Sequence, residues 1–337
     1  MNREPRASDP GPAASQQDDR KCRKAVIFKY LKRILSFFVV IIIFFFLIRT
    51  LVLNWGKIPF HELHFNGWYI ALSFVMLVVY FLFYTKSWQE IMIALGHEIK
   101  FFQSMWIIAT TQIAKYLPGR IWSMVGRVYI GKKERFDGDL LIVSMILETC
   151  LLIITSGVIF LIATLFTGVL QITYLLLSIM LIIIAAAFIH PRILSWFVNL
   201  IMKILHRQPV TISVSYFKIL RVSIFFFGLW FVQIIGFYFL VMAIYPVHLS
   251  MAPVFMAAYT LSWITGFIVL FAPSGLGVRE GIMTLLLSPV LTTPLAIAVS
   301  LLTRVWMTLF EIIIFFVGLI VRRVGRKMDG NNMDSLD

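Results

Sequence analysis

The chain has 337 residues, of which 60% are apolar and only 14% charged, and its mean hydropathy is +0.92; this excludes an ordinary water-soluble domain and puts most of the surface in lipid. A helix needs about 20 apolar residues to cross a hydrocarbon core about 30 Å thick, so the length holds about seven to nine hydrophobic segments and no separate catalytic domain. The net charge of +14 fits basic loops attracted to anionic lipid and gives no reason to invoke nucleic acid.

Residues 1–33 are rich in Pro, Ser, Gln and charge, and turn basic through Arg20, Lys21, Arg23, Lys24, Lys29, Lys32 and Arg33. They lack the short charged start, short apolar core and small-residue cleavage site of a signal peptide, and read as a disordered cytoplasmic tail. Residues 34–321 read as one membrane domain, followed by a short cytoplasmic tail at 322–337. Spans are expected near 34–53, 67–85, 141–163, 172–189, 222–245, 254–272 and 295–321, with shorter or more polar pieces at 101–117 and 279–288.

Placing the loops on alternate sides gathers Lys86, Lys100, Lys132, Lys133, Arg135, Arg192, Lys203, Arg207, Lys218 and Arg221 on one side with both tails, and the positive-inside rule makes that side cytoplasmic. The expected location is therefore the cell inner membrane, multi-pass, with both termini cytoplasmic. The bookkeeping works only if 101–117 enters and leaves on the same side, as a re-entrant helix. Gln103, Ser104, Thr110, Thr111, Gln112 and Lys115 are too polar for a lipid-facing span, and Pro118-Gly119 stops the helix. A second break, Ala272-Pro273-Ser274-Gly275-Leu276-Gly277, follows the run 254–272. Two interrupted segments of opposite orientation point to an inverted repeat with a midplane site between broken helices; the plainer alternative is two unrelated kinks.

Ionisable groups within a membrane cost several kcal/mol unless paired or hydrated, so they mark a pathway or a partner. Lys115, Arg120 and Arg127 surround the first break, and guanidinium groups suit phosphate because the planar fork donates two parallel hydrogen bonds. The alternative is that they snorkel to the interface. Arg279 and Glu280 follow the second break, where Gly275 and Gly277 permit tight turns and a helix N-terminus attracts an anion; a purely structural salt bridge is the competing reading. Glu148 lies well inside span 141–163 and needs a cationic partner or a proton. Arg304 and Glu311, seven residues apart on the last span, share a face but are too distant along the axis for a direct bond. The expected pairs join Glu148 and Glu311 to Arg279, Arg304 or Arg127.

Cys22 and Cys150 offer no disulfide framework, and there is no HExxH, paired-Asp or Gly-rich phosphate motif. His61 and His64 at i, i+3 lack two further ligands, so neither a metal nor a cofactor is expected. The many Phe, Trp and Met residues are assigned to lipid-facing and interfacial surface, with no site among them.

Taken together, Ala114-Lys115-Tyr116-Leu117-Pro118-Gly119-Arg120-Ile121-Trp122 with Gly126-Arg127, Glu148 in the next span, and Pro273-Ser274-Gly275-Leu276-Gly277-Val278-Arg279-Glu280-Gly281 before Arg304 resemble the lysylphosphatidylglycerol synthase transmembrane-region family. The resemblance covers roughly 34–321. It implies the flippase-like module of bacterial multiple-peptide-resistance proteins; with Asp337 as its last residue, the chain has no room for the aminoacyltransferase domain, so synthesis of the lipid is not implied. What carries over is lipid handling. The expected substrate is an anionic phospholipid or a polyprenyl-linked lipid, its headgroup held by Lys115, Arg120, Arg127, Arg279 and Arg304 while Glu148, Glu280 and Glu311 balance charge or couple protons. A membrane-embedded transferase using Glu148 or Glu280 as base is the main alternative; a scaffold for envelope-lipid enzymes is another. A lipid-modifying enzyme partner and a homo-oligomer are both compatible with the resemblance.

Overall fold

The apolar runs fold as helices, and no strand occurs among the described residues. The structure is a computed structural model that describes residues 49, 56, 64–116, 122–167, 190–204, 206–208, 215–268, 275 and 277–333, with the backbone alone at 191 and 323–333. All helices named below lie in the unit Leu53–Asp337. In chain order they are α1 (Gly67–Ala94), α2 (Phe101–Gln112) continued by a 3-10 turn (Ile113–Tyr116), α3 (Trp122–Lys133), α4 (Gly138–Leu165), α5 (Pro191–Ile204), α6 (Tyr216–Met242), α7 (Ala252–Ile268), α8 (Val278–Leu287) and α9 (Thr293–Met333).

Short polar side chains start two of the long apolar helices. Asn66 accepts from the Trp68 N–H at 3.0 Å ahead of α1, and Asp137 accepts from the Asp139 and Leu140 N–H groups at 3.0 and 3.1 Å ahead of α4. Each supplies an acceptor to amides that have no partner inside the helix. Stretches Gly67–Ala94, Gly138–Leu165, Tyr216–Met242, Leu249–Ile268 and Thr293–Arg322 are long and apolar enough to cross a membrane. They correspond to the expected spans at 67–85, 141–163, 222–245, 254–272 and 295–321; those at 34–53 and 172–189 fall outside the described residues. The fold is an all-α, polytopic membrane helix bundle.

Two boundaries differ from the reading for one electrostatic reason. Lys86 and Arg221, assigned to loops, lie within α1 and α6, where both pair with the buried Glu90, at 2.9 and 3.4 Å. Their long apolar stems carry the charge outward while the helix continues. α3 and α5 have no counterpart among the expected hydrophobic segments: α3 is interrupted by Gly126, Arg127, Gly131 and Lys132, and α5 is only 14 residues long.

Packing pairs α1 with α6 most extensively, α2 with α3 and α9, α7 with α4 and α8, and α8 with α9. The α1–α6 pair is antiparallel, because the Asn66 N–H donates to the Ala243 carbonyl at one end and Arg221 meets Glu90 at the other. Small residues allow the close approaches expected of helices in lipid. A Cβ at Gly228 would lie 2.5 Å from the Phe83 ring, and one at Gly318 would lie 2.6 Å from the Ala109 Cβ. Gly318→Val is therefore expected to cost about 1–3 kcal/mol by overpacking the α2–α9 contact, read as a lowered unfolding temperature in detergent. Gly157→Val, at a site with nothing within 4 Å, provides the propensity control; equal losses in the two variants would remove the argument.

The two threonines of α2 are satisfied within the helix and Gln103 from beyond it, whereas the buried Ser104 hydroxyl has no hydrogen-bond partner among the described residues. Thr110 donates to the Trp106 carbonyl at 2.7 Å, Thr111 to that of Ile107 at 2.8 Å, and Gln103 to Glu134 at 3.2 Å. At 12 and 10 residues, α2 and α8 are each about 15–18 Å long, roughly half the hydrocarbon thickness.

Candidate functional site

α7 and α8 pack against each other as a pair, and the two described residues ahead of α8 are glycines. Gly275 has φ +70° and Gly277 φ +84°, and a Cβ on Gly275 would lie 2.6 Å from the Gly266 carbonyl oxygen of α7. Only a residue without a Cβ combines that backbone with that approach. Arg279 and Glu280 follow in the first turn of α8. Glu280 Oε2 accepts from the Gly277 N–H at 2.6 Å, its other oxygen lies 3.7 Å from Arg304 Nε of α9, and the Arg279 guanidinium lies over the Tyr259 ring, 5.3 Å from its centre.

The 3-10 turn after α2 approaches the same stretch of α9. Lys115 pairs with Glu311, and the Tyr116 and Thr308 hydroxyls are 3.0 Å apart. The Tyr116 ring also carries Arg304, 5.5 Å from its centre. Arg304, 6% exposed, thus has Glu280 as its partner on α8 and Tyr116 as its partner from the α2 segment. A cation over an aromatic face is worth about 0.5–1 kcal/mol in water and about 2 when desolvated, so these rings are part of what makes buried cations tolerable.

Lys115, Arg279 and Arg304 against Glu280 and Glu311 leave one formal positive charge in this cluster. Arg279, Glu280, Met283, Ser300, Thr303 and Arg304 line a cavity with about 10 Å³ of room for a water centre, space for about one water molecule. Four buried polar atoms of this lining, Arg279 Nη2, Glu280 Oε1 and Arg304 Nε and Nη2, have no hydrogen-bond partner among the described residues. Such atoms cost about 1–3 kcal/mol each when left unmade, and their convergence on one cavity distinguishes it from ordinary helix packing.

Arg127 and Glu148 form a second cluster. Arg127 on α3 pairs with Glu148 on α4, and the Tyr84 hydroxyl of α1 donates to the other Glu148 oxygen. The Arg127 guanidinium lies over the Trp88 ring, 5.2 Å from its centre, and the Trp88 N–H donates to Ser144 at 3.2 Å. Arg127 and Glu148 are each 5% exposed. Tyr80 stacks on Tyr84 with ring centres 6.1 Å apart.

Of the residues read from the sequence, Lys115, Arg279, Arg304, Glu280 and Glu311 come together at the tips of the two short-helix segments, whereas Arg127 and Glu148 stand apart from them, bound to each other. Arg120, Pro118, Gly119 and Pro273 lie outside the described residues. Glu148 takes Arg127 from the set of expected partners; Glu311 takes Lys115, which was not in it. Of the aromatic residues that flank the cations, Trp88 was assigned to lipid-facing and interfacial surface, and its burial corrects that; Tyr84, Tyr116 and Tyr259 had been given no role. The available signal was local: Tyr116 follows Lys115 directly, and Tyr80, Tyr84 and Trp88 recur every four residues on one helical face.

The sequence model of the lysylphosphatidylglycerol synthase TM region family matches residues 33–314. Among curated proteins none matches the chain. A match that takes in both short-helix segments, the α9 residues they meet and the Arg127–Glu148 pair covers nearly all of the membrane-embedded part: the chain belongs to the lysylphosphatidylglycerol synthase TM region family.

Proposed function

We propose that this membrane protein carries an anionic phospholipid or polyprenyl-linked lipid between leaflets, with α2 and α8 entering the membrane as re-entrant half-helices and the headgroup held by Lys115, Arg279 and Arg304. The observation that carries this reading is the surplus positive charge beside four buried polar atoms that make no hydrogen bond among the described residues and line one cavity, two of them, Arg304 Nε and Glu280 Oε1, held only as a 3.7 Å ion pair. A bare phosphate meets a prohibitive desolvation cost in hydrocarbon; a cationic groove replaces its water with fixed donors, while the acyl tails stay in lipid. Glu280 and Glu311 serve as internal counter-ions that the headgroup exchanges with, so the path conducts only when the ion pairs open.

A second reading, a non-catalytic scaffold for envelope-lipid enzymes, draws on the ion pairing itself, because these charges are largely matched within the protein and the cavity at their centre is water-sized. Leaflet exchange of fluorescent phosphatidylglycerol and a polyprenyl phosphate in proteoliposomes separates the two. Arg304→Ala, Arg279→Ala and Lys115→Ala are each expected to slow protein-dependent exchange at least about tenfold, roughly 1.4 kcal/mol on the barrier. Folded wild-type protein that moves neither lipid would overturn the transport reading in favour of the scaffold.

A further inference from the structure

α5 divides into three faces when its residues are set at about 100° intervals. Leu194, Val198 and Met202 are buried on the face toward α4, which α5 contacts, and Leu194 closes an apolar crevice shared with α1, α4 and α6. A second stripe is Ile193, Trp196, Phe197, Leu200 and Ile204, of which Trp196, Leu200 and Ile204 are 64%, 40% and 66% exposed. The third stripe is polar: Arg192, Ser195, Asn199 and Lys203, with both charged residues exposed. A helix with one protein-facing, one apolar and one cationic face has three environments to satisfy, and the boundary between lipid and water beside a protein supplies all three.

Length and charge select the same place. At 14 residues α5 is about 21 Å long, too short to cross a core of about 30 Å. Trp196 sits at the seam between the apolar and cationic stripes, the position a tryptophan takes at headgroup level. The surroundings are basic: Arg207 follows the helix and meets Asp139 at 3.2 Å, and the His190 and Tyr216 rings, 6.4 Å apart, bring the start of α6, with exposed Lys218 and Arg221, alongside.

We infer that α5 is an interfacial helix that docks on an anionic lipid surface, with its Ile193–Ile204 stripe in the acyl boundary and Arg192 and Lys203 among the phosphates of the leaflet that faces the basic loops. This surface is separate from the cationic cluster on α9 and does not depend on transport. Near an anionic surface each basic residue contributes about 1 kcal/mol, so the helix ties the adjoining ends of α4 and α6 to one leaflet and makes its depth sensitive to that leaflet's charge.

The test uses the full chain in proteoliposomes, in a background without Cys22 and Cys150, labelled at Trp196→Cys, Leu200→Cys or Ser195→Cys with an environment-sensitive fluorophore. Labels at 196 and 200 are expected to be quenched by nitroxide-bearing lipid at least about threefold more than the label at 195, with the opposite order for an aqueous quencher. Adding phosphatidylglycerol to phosphatidylcholine vesicles should shield position 196 further from the aqueous quencher, and Arg192→Gln with Lys203→Gln should abolish that response. Positions 196 and 200 as open to the aqueous quencher as 195 would overturn the inference, and so would shielding from both quenchers, which points to a protein partner or a second copy. Indifference of the parent protein to phosphatidylglycerol would overturn the anionic surface. Agreement between the 196 and 200 labels guards against an effect of replacing the tryptophan.

Discussion

Arg127→Met is expected to lose about 3–5 kcal/mol of stability, because it strands a buried Glu148 carboxylate without its cation. Both side chains are 5% exposed, and Tyr84 already donates to the carboxylate, so no other described group is positioned to neutralise it. Arg127→Met with Glu148→Gln should recover more than half of the loss: the amide oxygen still accepts from Tyr84, and no unpaired charge remains. Thermal unfolding of detergent-solubilised protein, carried through all four members of the cycle, measures the coupling. If the losses simply add, the pair is not a unit. A single variant that keeps its stability and loses lipid binding would return Arg127 to the headgroup-binding set suggested by its sequence position.

Gly275→Ala should be nearly as damaging although it adds one methyl group. The left-handed backbone costs a residue with a Cβ about 1–2 kcal/mol, and the added carbon would lie 2.6 Å from a backbone oxygen of Gly266 and 2.8 Å from its Cα, neither of which yields as a flexible side chain does. About 2–4 kcal/mol is expected in total, with α7 and α8 splayed apart. Gly281→Ala, six residues on and inside α8 with open space around it, should be neutral or stabilising by about 0.5–1 kcal/mol from helix propensity. Similar unfolding temperatures for the two variants would show that this contact is slack.

The long spans were legible because hydropathy over a twenty-residue window sums many weak preferences of one sign, and in lipid the helix satisfies every backbone group without help from elsewhere. The breaks at Gly275 and Gly277 were legible because the residue type itself reports unusual backbone. Pairing was not. Whether Glu311 meets Lys115 or Arg127 depends on how α9 is rotated against α2, a tertiary quantity that no local pattern carries. Lys86 and Arg221 were misplaced because charge is an ambiguous boundary signal: Glu90 makes both cations compatible with a continuing helix, and it lies four residues from one and in a different helix from the other. α3 escaped detection because its buried residues are Arg127 and Gly131, so its burial rests on an ion pair and a close contact rather than on an apolar stripe.

α9 carries Arg304 and Glu311 two turns apart, and their counter-ions come from different segments, Glu280 of α8 for one and Lys115 of the turn after α2 for the other. This arrangement makes registration digital. Sliding α9 along its axis by one turn, about 5.4 Å, would break both pairings together and present each segment with a neutral residue, so intermediate positions offer neither partner anything. Motion of α9 relative to these segments therefore has few shallow stops, and a ligand able to replace one counter-ion changes the resting register available to the other.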